Sequence, residues 1–311
     1  MSSPPQPTKI ALIGAGTIGL SFAALHLSKN PTCTITIYDT RPDLSSYVAQ
    51  HLPSYLVDVD DHESCTRRLT FATSLEEAVR GANIVQEQGP ENSAWKVQLW
   101  PQVEKFARKE ALLWSSTSGI PASEQSAGME DKTRLVVCHP YNPPHIMPLL
   151  EVVRSPSTSD TVVEQTLAYW RRLGRAPVVV RKECVGFVAN RLAFALFREA
   201  CSLVAQGVVG VEECDEIVRN SMGPRWAVAG PFKAYHAGGG EKGLRGFVEK
   251  EGIGGTVEKC WRKSEEDARE GNVWVGEEWQ EEVCRLAEEA YGVVDTRERD
   301  EKTRRVLDAV R

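Results

Sequence analysis

The apolar residues of this chain change rhythm along its length. Lys9 to Ile13 is a short apolar run that stops at a glycine, and Cys33 to Tyr38 is a second, rich in β-branched residues, that stops at Asp39. Between them, Ile18 to Ser28 sets Leu20, Phe22, Ala23 and Leu27 on one face of a helix. This predicts a strand–helix–strand unit of about 30 residues, the length that a parallel crossover needs. Further strands are predicted at Leu69 to Ala72, Ala82 to Gln86, Ala111 to Ser115, Arg134 to Cys138, Leu149 to Val153 and Ala176 to Val180. Helices are predicted at Ser74 to Arg80, Trp95 to Lys109 and Thr161 to Leu173, the first with Ser74 as N-cap and Glu77 closing a capping box. Alternating strands and helices imply an α/β fold with a doubly wound, mostly parallel sheet.

From Gly186 the period lengthens. Phe187, Leu192, Leu196, Leu203 and Val204 recur near helical spacing up to Gln206, and Val211 to Asn220 and Trp279 to Ala290 read as further helices. Gly238-Gly239-Gly240 and Gly254-Gly255 read as breaks, and Gly223-Pro224 as a turn. The organisation expected is a flexible Pro/Ser-rich leader at 1–8, a sheet domain at 9–184 and a mainly α-helical domain at 185–311.

Composition narrows the partners. The 311 residues are 41% hydrophobic and 26% charged, with a net charge of −6, a balance that argues against a nucleic-acid partner. No apolar run approaches the roughly 18 residues of a membrane span. The eight cysteines show no CxxC spacing, so no metal site is expected and they read as reduced, mostly buried thiols. The leader lacks an apolar core and arginines, and Asp308-Ala309-Val310-Arg311 is no peroxisomal signal, so a cytoplasmic protein is expected.

The chemistry starts at Gly14-Ala15-Gly16-Thr17-Ile18-Gly19, a GxGxxG loop with a strand before it and a helix after it. In that setting it signals a dinucleotide-binding, Rossmann-type domain. Gly14 is expected to permit the turn, Gly16 to let the backbone approach the pyrophosphate, and Gly19 to let the helix pack on the strand. The helix N-terminus offers free N–H groups to the phosphates. Asp39 ends the second strand, where a carboxylate accepts ribose hydroxyls and repels a 2′-phosphate, so NAD is expected over NADP; Arg41, two residues on, works against that preference.

Polar segments then punctuate apolar ones: Ser115 to Ser118, His139-Pro140-Tyr141-Asn142-Pro143-Pro144, Glu151 within Leu149 to Val153, and Gly186 to Arg191. His139 follows an apolar strand and falls at its carboxyl end, where ligands bind in such sheets. Glu151 interrupts an apolar run, and a buried carboxylate needs a partner such as histidine. An imidazole oriented by a carboxylate can take an alcohol proton while hydride leaves carbon. Taken alone, a histidine in this position is more often structural; His26, His51 and His62 have no such setting.

These segments resemble the 3-hydroxyacyl-CoA dehydrogenase superfamily, and within it the branch of lambda-crystallin, L-gulonate 3-dehydrogenase and carnitine 3-dehydrogenase. The likeness runs from Ile10 to about Trp261 and is most specific at His139 to Val153 and Gly223 to Phe232. It implies that His139 and Glu151 form the catalytic pair and that Ser118 and Asn190 hold the reacting oxygen. It further implies that Glu91, Lys96, Ser118 and Asn142 contact NAD, and that the enzyme is a homodimer joined through its helical domain.

For the substrate, the segment Thr40 to Thr66 carries one base, Arg41, against five acids, Asp43, Asp58, Asp60, Asp61 and Glu63. Such a segment should repel the polyanionic CoA tail, which favours a small free 3-hydroxy acid, L-gulonate-like or carnitine-like; a merely solvated acidic loop would look the same. Arg225 is a candidate partner for a substrate carboxylate, and Trp226, Tyr235 and Tyr141 for a quaternary ammonium. An L-3-hydroxyacyl-CoA dehydrogenase and a non-catalytic, crystallin-like NAD-binding protein remain as alternatives.

Overall fold

A computed structural model of the protein describes residues 7–57, 59, 61–249, 253–269 and 278–310. Residues 1–6 of the expected leader, and Asp58 and Asp60, lie outside them. The chain divides into two compact units, one ending at Arg191 and one starting at Leu192.

The first unit is a doubly wound α/β domain. Its strands are β1 (Lys9–Ile13), β2 (Thr34–Tyr38), β3 (Leu69–Phe71), β4 (Ile84–Glu87), β5 (Leu112–Ser115), β6 (Leu135–Pro140), β7 (Leu149–Val153) and β8 (Ala176–Val180). Its helices are α1 (Thr17–Lys29), α2 (Leu44–His51), α3 (His62–Thr66), α4 (Leu75–Val79), α5 (Ser93–Phe106), α6 (Ala122–Gln125) and α7 (Asp160–Arg172). The sheet order is β3-β2-β1-β4-β5-β6-β7-β8. The first six strands are parallel, while β7 runs antiparallel to β6 and carries β8 parallel to itself. Strand order reverses between β1 and β4, and such a switch point opens a crevice at the strand carboxyl ends. The antiparallel β6–β7 register sets His139 opposite Glu151.

One apolar layer packs α1, α2 and α7 on the sheet and contains Phe22, Trp114 and Trp170; the other packs α4 and α5 and contains Val85, Trp100 and Val103. The buried indoles keep their N–H groups paired where a neighbour allows: Trp100 donates to Gln125 Oε1 at 3.0 Å and Trp114 to Thr166 Oγ1 at 2.9 Å. Ser74 caps α4 by accepting from Glu77 N. Glu77 returns its carboxylate to Thr73 N at 2.8 Å, one residue before the position that a capping box predicts.

The second unit comprises the rest of α8 (Phe187–Ala205), then α9 (Val211–Asn220), α10 (Met222–Gly238), α11 (Gly243–Glu249), α12 (Ile253–Arg269), α13 (Glu278–Tyr291) and α14 (Thr296–Val310). Two expected breaks are helical instead. Gly223-Pro224 lies in the first turn of α10, where proline needs no N–H partner; the bend falls later, at Gly230 with φ 69°, just before Pro231. Gly254 lies in the first turn of α12, where a Cβ would come within 2.0 Å of Val248 O. That glycine serves a close approach of backbones rather than a helix end. Among the described residues no helix is long and apolar enough to cross a membrane. Cys33, Cys65, Cys138 and Cys201 are buried, whereas Cys260 and Cys284 are exposed.

His26 sits fully buried on α1. Its Nε2 lies 2.9 Å from Gln86 Oε1 and its Nδ1 2.8 Å from the Tyr169 hydroxyl. A neutral ring satisfies both, donating to the amide oxygen and accepting from the phenol. Burial pushes the His26 pKa down to about 4, partly opposed by the bond to Gln86. The unfolded chain, with an ordinary histidine, therefore binds more protons between about pH 6.5 and about pH 4. Stability from this group is complete above that window and lost as pH falls through it, by up to about 3 kcal/mol. Urea unfolding of the protein and of His26→Gln across this range should give a steeper loss for the histidine form.

Candidate active site

The glycine loop lies where β1 and β4 end. Gly14 adopts φ +103°, and a Cβ there would meet Gln88 O at 2.8 Å. A Cβ on Gly16 would project into open space, the room that a pyrophosphate needs at a helix N-terminus. Gly19 differs from expectation: a Cβ would come within 2.1 Å of Gly14 O, so it clears the turn itself rather than the strand. Asp39 is anchored beside the loop, accepting from Ala15 N at 2.7 Å on Oδ2 and from Arg41 N at 3.0 Å on Oδ1. Arg41 bonds Asp43 at 2.8 Å and covers the Tyr47 ring at 3.3 Å, so the base that would favour a 2′-phosphate is already engaged. Gly14, Gly16, Asp39, Thr40, Gln88 and Trp95 line a cavity of about 250 Å³.

Two glutamates brace the next turns. Glu87, at the end of β4, is fully buried and accepts from Lys96 Nζ at 2.6 Å, Ser115 Oγ at 2.9 Å and Gly89 N at 2.6 Å. Glu91 accepts through Oε1 from Thr117 Oγ1 at 2.5 Å, Ser118 N at 2.9 Å and Gly119 N at 3.1 Å. Lys96 is thus enclosed in an ion pair, and Glu91 holds the loop that carries Ser118. Neither bracing role is visible in spacing alone. Glu87 closes its strand between two glutamines and so lacks the apolar flanks that mark Glu151.

His139 and Glu151 meet as their register requires, with Nδ1 2.7 Å from Glu151 Oε2 and both groups buried. The other oxygen, Oε1, accepts from Val188 N at 2.9 Å and Ala189 N at 3.0 Å in the first turn of α8. Burial by itself would raise the Glu151 carboxyl, but the hydrogen bonds from His139, Ala189 and Val188 outweigh it and hold it below the usual carboxylate range. A carboxylate only accepts, so Nδ1 carries the proton and Nε2 is left with its lone pair. Phe187 backs the imidazole with ring centroids 5.3 Å apart. It is the one non-glycine residue with a positive φ (51°) among the described residues, and its fully buried side chain holds that conformation. Asn190, one turn into α8, donates to Ser118 O at 3.3 Å. The first turn of α8 thereby joins the expected Ser118, His139, Glu151 and Asn190 into one cluster. Asn142 is exposed on the loop after β6. Arg225 and Trp226 belong to the second unit, where they line a cavity of about 360 Å³ with Tyr235. Among the described residues no group of His, Cys, Asp and Glu is placed to hold a metal ion.

The sequence matches the model of the 3-hydroxyacyl-CoA dehydrogenase NAD-binding domain over residues 9–184 and that of the 3-hydroxyacyl-CoA dehydrogenase C-terminal domain over 186–270. The chain belongs to the 3-hydroxyacyl-CoA dehydrogenase family. L-carnitine dehydrogenase of Oceanobacillus iheyensis is 34% identical over 261 residues, covering 83% of this chain and 84% of that one. A 3-hydroxyacyl-CoA dehydrogenase of Gibberella moniliformis is 36% identical over 244 residues, covering 78% and 75%. Among solved structures, 5-formyl-3-hydroxy-2-methylpyridine 4-carboxylic acid 5-dehydrogenase, an NAD-dependent dismutase, shares 31% identity with a TM-score of 0.68 over 75% of this chain and 76% of that one. A 3-hydroxyacyl-CoA dehydrogenase of Archaeoglobus fulgidus, at 24% identity, shares the fold with a TM-score of 0.67 over 90% and 97%.

This member of the 3-hydroxyacyl-CoA dehydrogenase family is an NAD-dependent oxidoreductase. The open cradle over Gly16, the anchored Asp39 and the engaged Arg41 fit that cofactor. The buried Glu87–Lys96 pair holds the turn beside the cradle. Removing one partner of such a pair leaves an uncompensated charge, at a cost of about 3–5 kcal/mol. Lys96→Met should therefore lower stability by that order in denaturant unfolding, and adding Glu87→Gln should recover part of the loss.

Proposed function

We propose that the enzyme oxidises the 3-hydroxyl of a small, free L-3-hydroxy acid of the carnitine type to the 3-oxo acid. The observation that carries the reading is the His139–Glu151 pair fixed by the α8 N-terminus. His139 Nε2 takes the hydroxyl proton, and the ionised Glu151 steadies the imidazolium that forms. Ser118, on a loop braced by Glu91, and Asn190, on α8, hold the reacting oxygen. NAD would supply the hydride acceptor for C3; Asp39 would hold its adenosine ribose, and Gly14 to Gly19 its pyrophosphate.

The L-carnitine dehydrogenase relatives favour a carnitine-like substrate. In the acidic segment Arg41 pairs with Asp43 and Asp61 caps α3, and the net negative balance that supports a free acid is unchanged. The Gibberella relative keeps a CoA thioester as the second reading. A homodimer joined through the helical unit, working in the cytoplasm, completes the proposal. In that unit Phe194 and Phe197 are each 62% exposed and Phe232 80%, apolar area that suits a second copy.

His139→Ala should lower kcat by about 10²–10⁴-fold or more with folding intact, and Glu151→Gln should fall in the same direction. Near-normal turnover of His139→Ala would refute the scheme. An NAD-reduction screen should rank L-carnitine above L-gulonate, 3-hydroxybutyrate and 3-hydroxybutyryl-CoA. Preference for the thioester would select the second reading, and NAD binding without turnover would select the non-catalytic one.

A further inference from the structure

Two glutamines flank Glu87, the last residue of β4, and face the same way, since Gln88 continues the extended pairing past the strand end. Side chains alternate along a strand, so Gln86 and Gln88 share one face while Glu87 points to the other. Gln86 is satisfied at both ends: its Oε1 takes the His26 Nε2 proton at 2.9 Å and its Nε2 donates to Ser116 Oγ at 3.2 Å. Gln88 is satisfied at neither. Its Oε1 and Nε2 are both buried without a hydrogen-bond partner, and among the described residues it is the one side chain with two such atoms. Buried amides are normally paired, so an orphaned donor and acceptor on one side chain call for an explanation.

The surroundings supply one. Gln88 N extends the β1–β4 pairing by donating to Ile13 O at 2.8 Å, which fixes the residue against the glycine loop. Gln88 O lies 2.8 Å from the position of a Gly14 Cβ, and Gln88 Oε1 lies 3.6 Å from that of a Gly19 Cβ. The residue lines the same cavity as Gly14, Gly16 and Asp39. We infer that the Gln88 carboxamide is a cofactor-binding group, whose Nε2 donates to a pyrophosphate oxygen of NAD and whose Oε1 accepts from the adjoining ribose hydroxyl. The two ligand atoms match the two orphans in kind: an anionic oxygen can only accept, and a hydroxyl can donate. The bond to the phosphate is charge-assisted and thus of the stronger class.

The test is equilibrium binding to the purified enzyme freed of cofactor, by calorimetry, with NAD, ADP-ribose and adenosine as probes. Gln88→Met keeps the shape and removes both polar atoms, and Gln88→Glu puts a negative charge beside the pyrophosphate. Gln88→Met should raise the Kd for NAD and for ADP-ribose about tenfold and that for adenosine by clearly less, since adenosine keeps only the ribose contact. Gln88→Glu should weaken both phosphate-bearing probes further. Replacing a buried, unpaired amide by an apolar group of the same shape costs the free enzyme nothing, so its melting temperature without cofactor should hold or rise in Gln88→Met. A Kd for NAD within about twofold of the parent, an equal loss for adenosine, or a lower melting temperature of cofactor-free Gln88→Met would each overturn the assignment. Wild-type binding of NAD in the same titration separates this result from the cofactor identity itself.

Discussion

The Glu151 carboxylate ties together three parts of the chain that lie far apart in sequence. One oxygen holds the imidazole of His139 on β6, and the other takes two backbone N–H groups from the first turn of α8. A helix N-terminus carries partial positive charge and unpaired donors, so it can keep a buried carboxylate ionised. An ionised Glu151 in turn selects the imidazole tautomer that leaves Nε2 free. Strand β7, which with β8 runs opposite to the other six, sets the two residues opposite each other.

The same device recurs nearer the cofactor. Glu87 and Glu91 each gather backbone N–H groups from the turns that follow β4 and β5, together with side-chain donors from Lys96, Ser115 and Thr117. Glycines give these turns their freedom, and carboxylates take it away again. A loop pinned by three short hydrogen bonds to one oxygen has little room to wander. Ser118 thus rides on a turn whose geometry is set from β4, while Asn190 reaches that turn from α8.

Much of this was legible before any coordinates. Strand and helix periods mark the sheet, and the Gly14–Gly19 loop with Asp39 marks the candidate cofactor site. Glu151 betrays itself as a charge inside an apolar run, and its partner follows from the need to satisfy it. What escaped detection depends on tertiary neighbours. Gly19 and Gly254 are demanded by a carbonyl pressed against each of them, and no local pattern records such a contact. Gly223-Pro224 looked like a turn because the first turn of a helix tolerates the same residues. The bracing by Glu87 and Glu91, and the lack of partners at Gln88, are counts of hydrogen bonds, which only three-dimensional neighbours supply.

The first turn of α8 has a bearing on modularity. By sequence likeness the NAD-binding domain stops at residue 184, yet the compact unit runs on to Arg191 because Phe187, Val188, Ala189 and Asn190 are bonded or packed into it. A chimera spliced at the family boundary would import foreign backbone into the His139–Glu151 pair, whereas one spliced past Arg191 would leave that pair whole. Recombination that exchanges helical domains therefore has a preferred seam, and it falls inside a helix rather than in the loop before it.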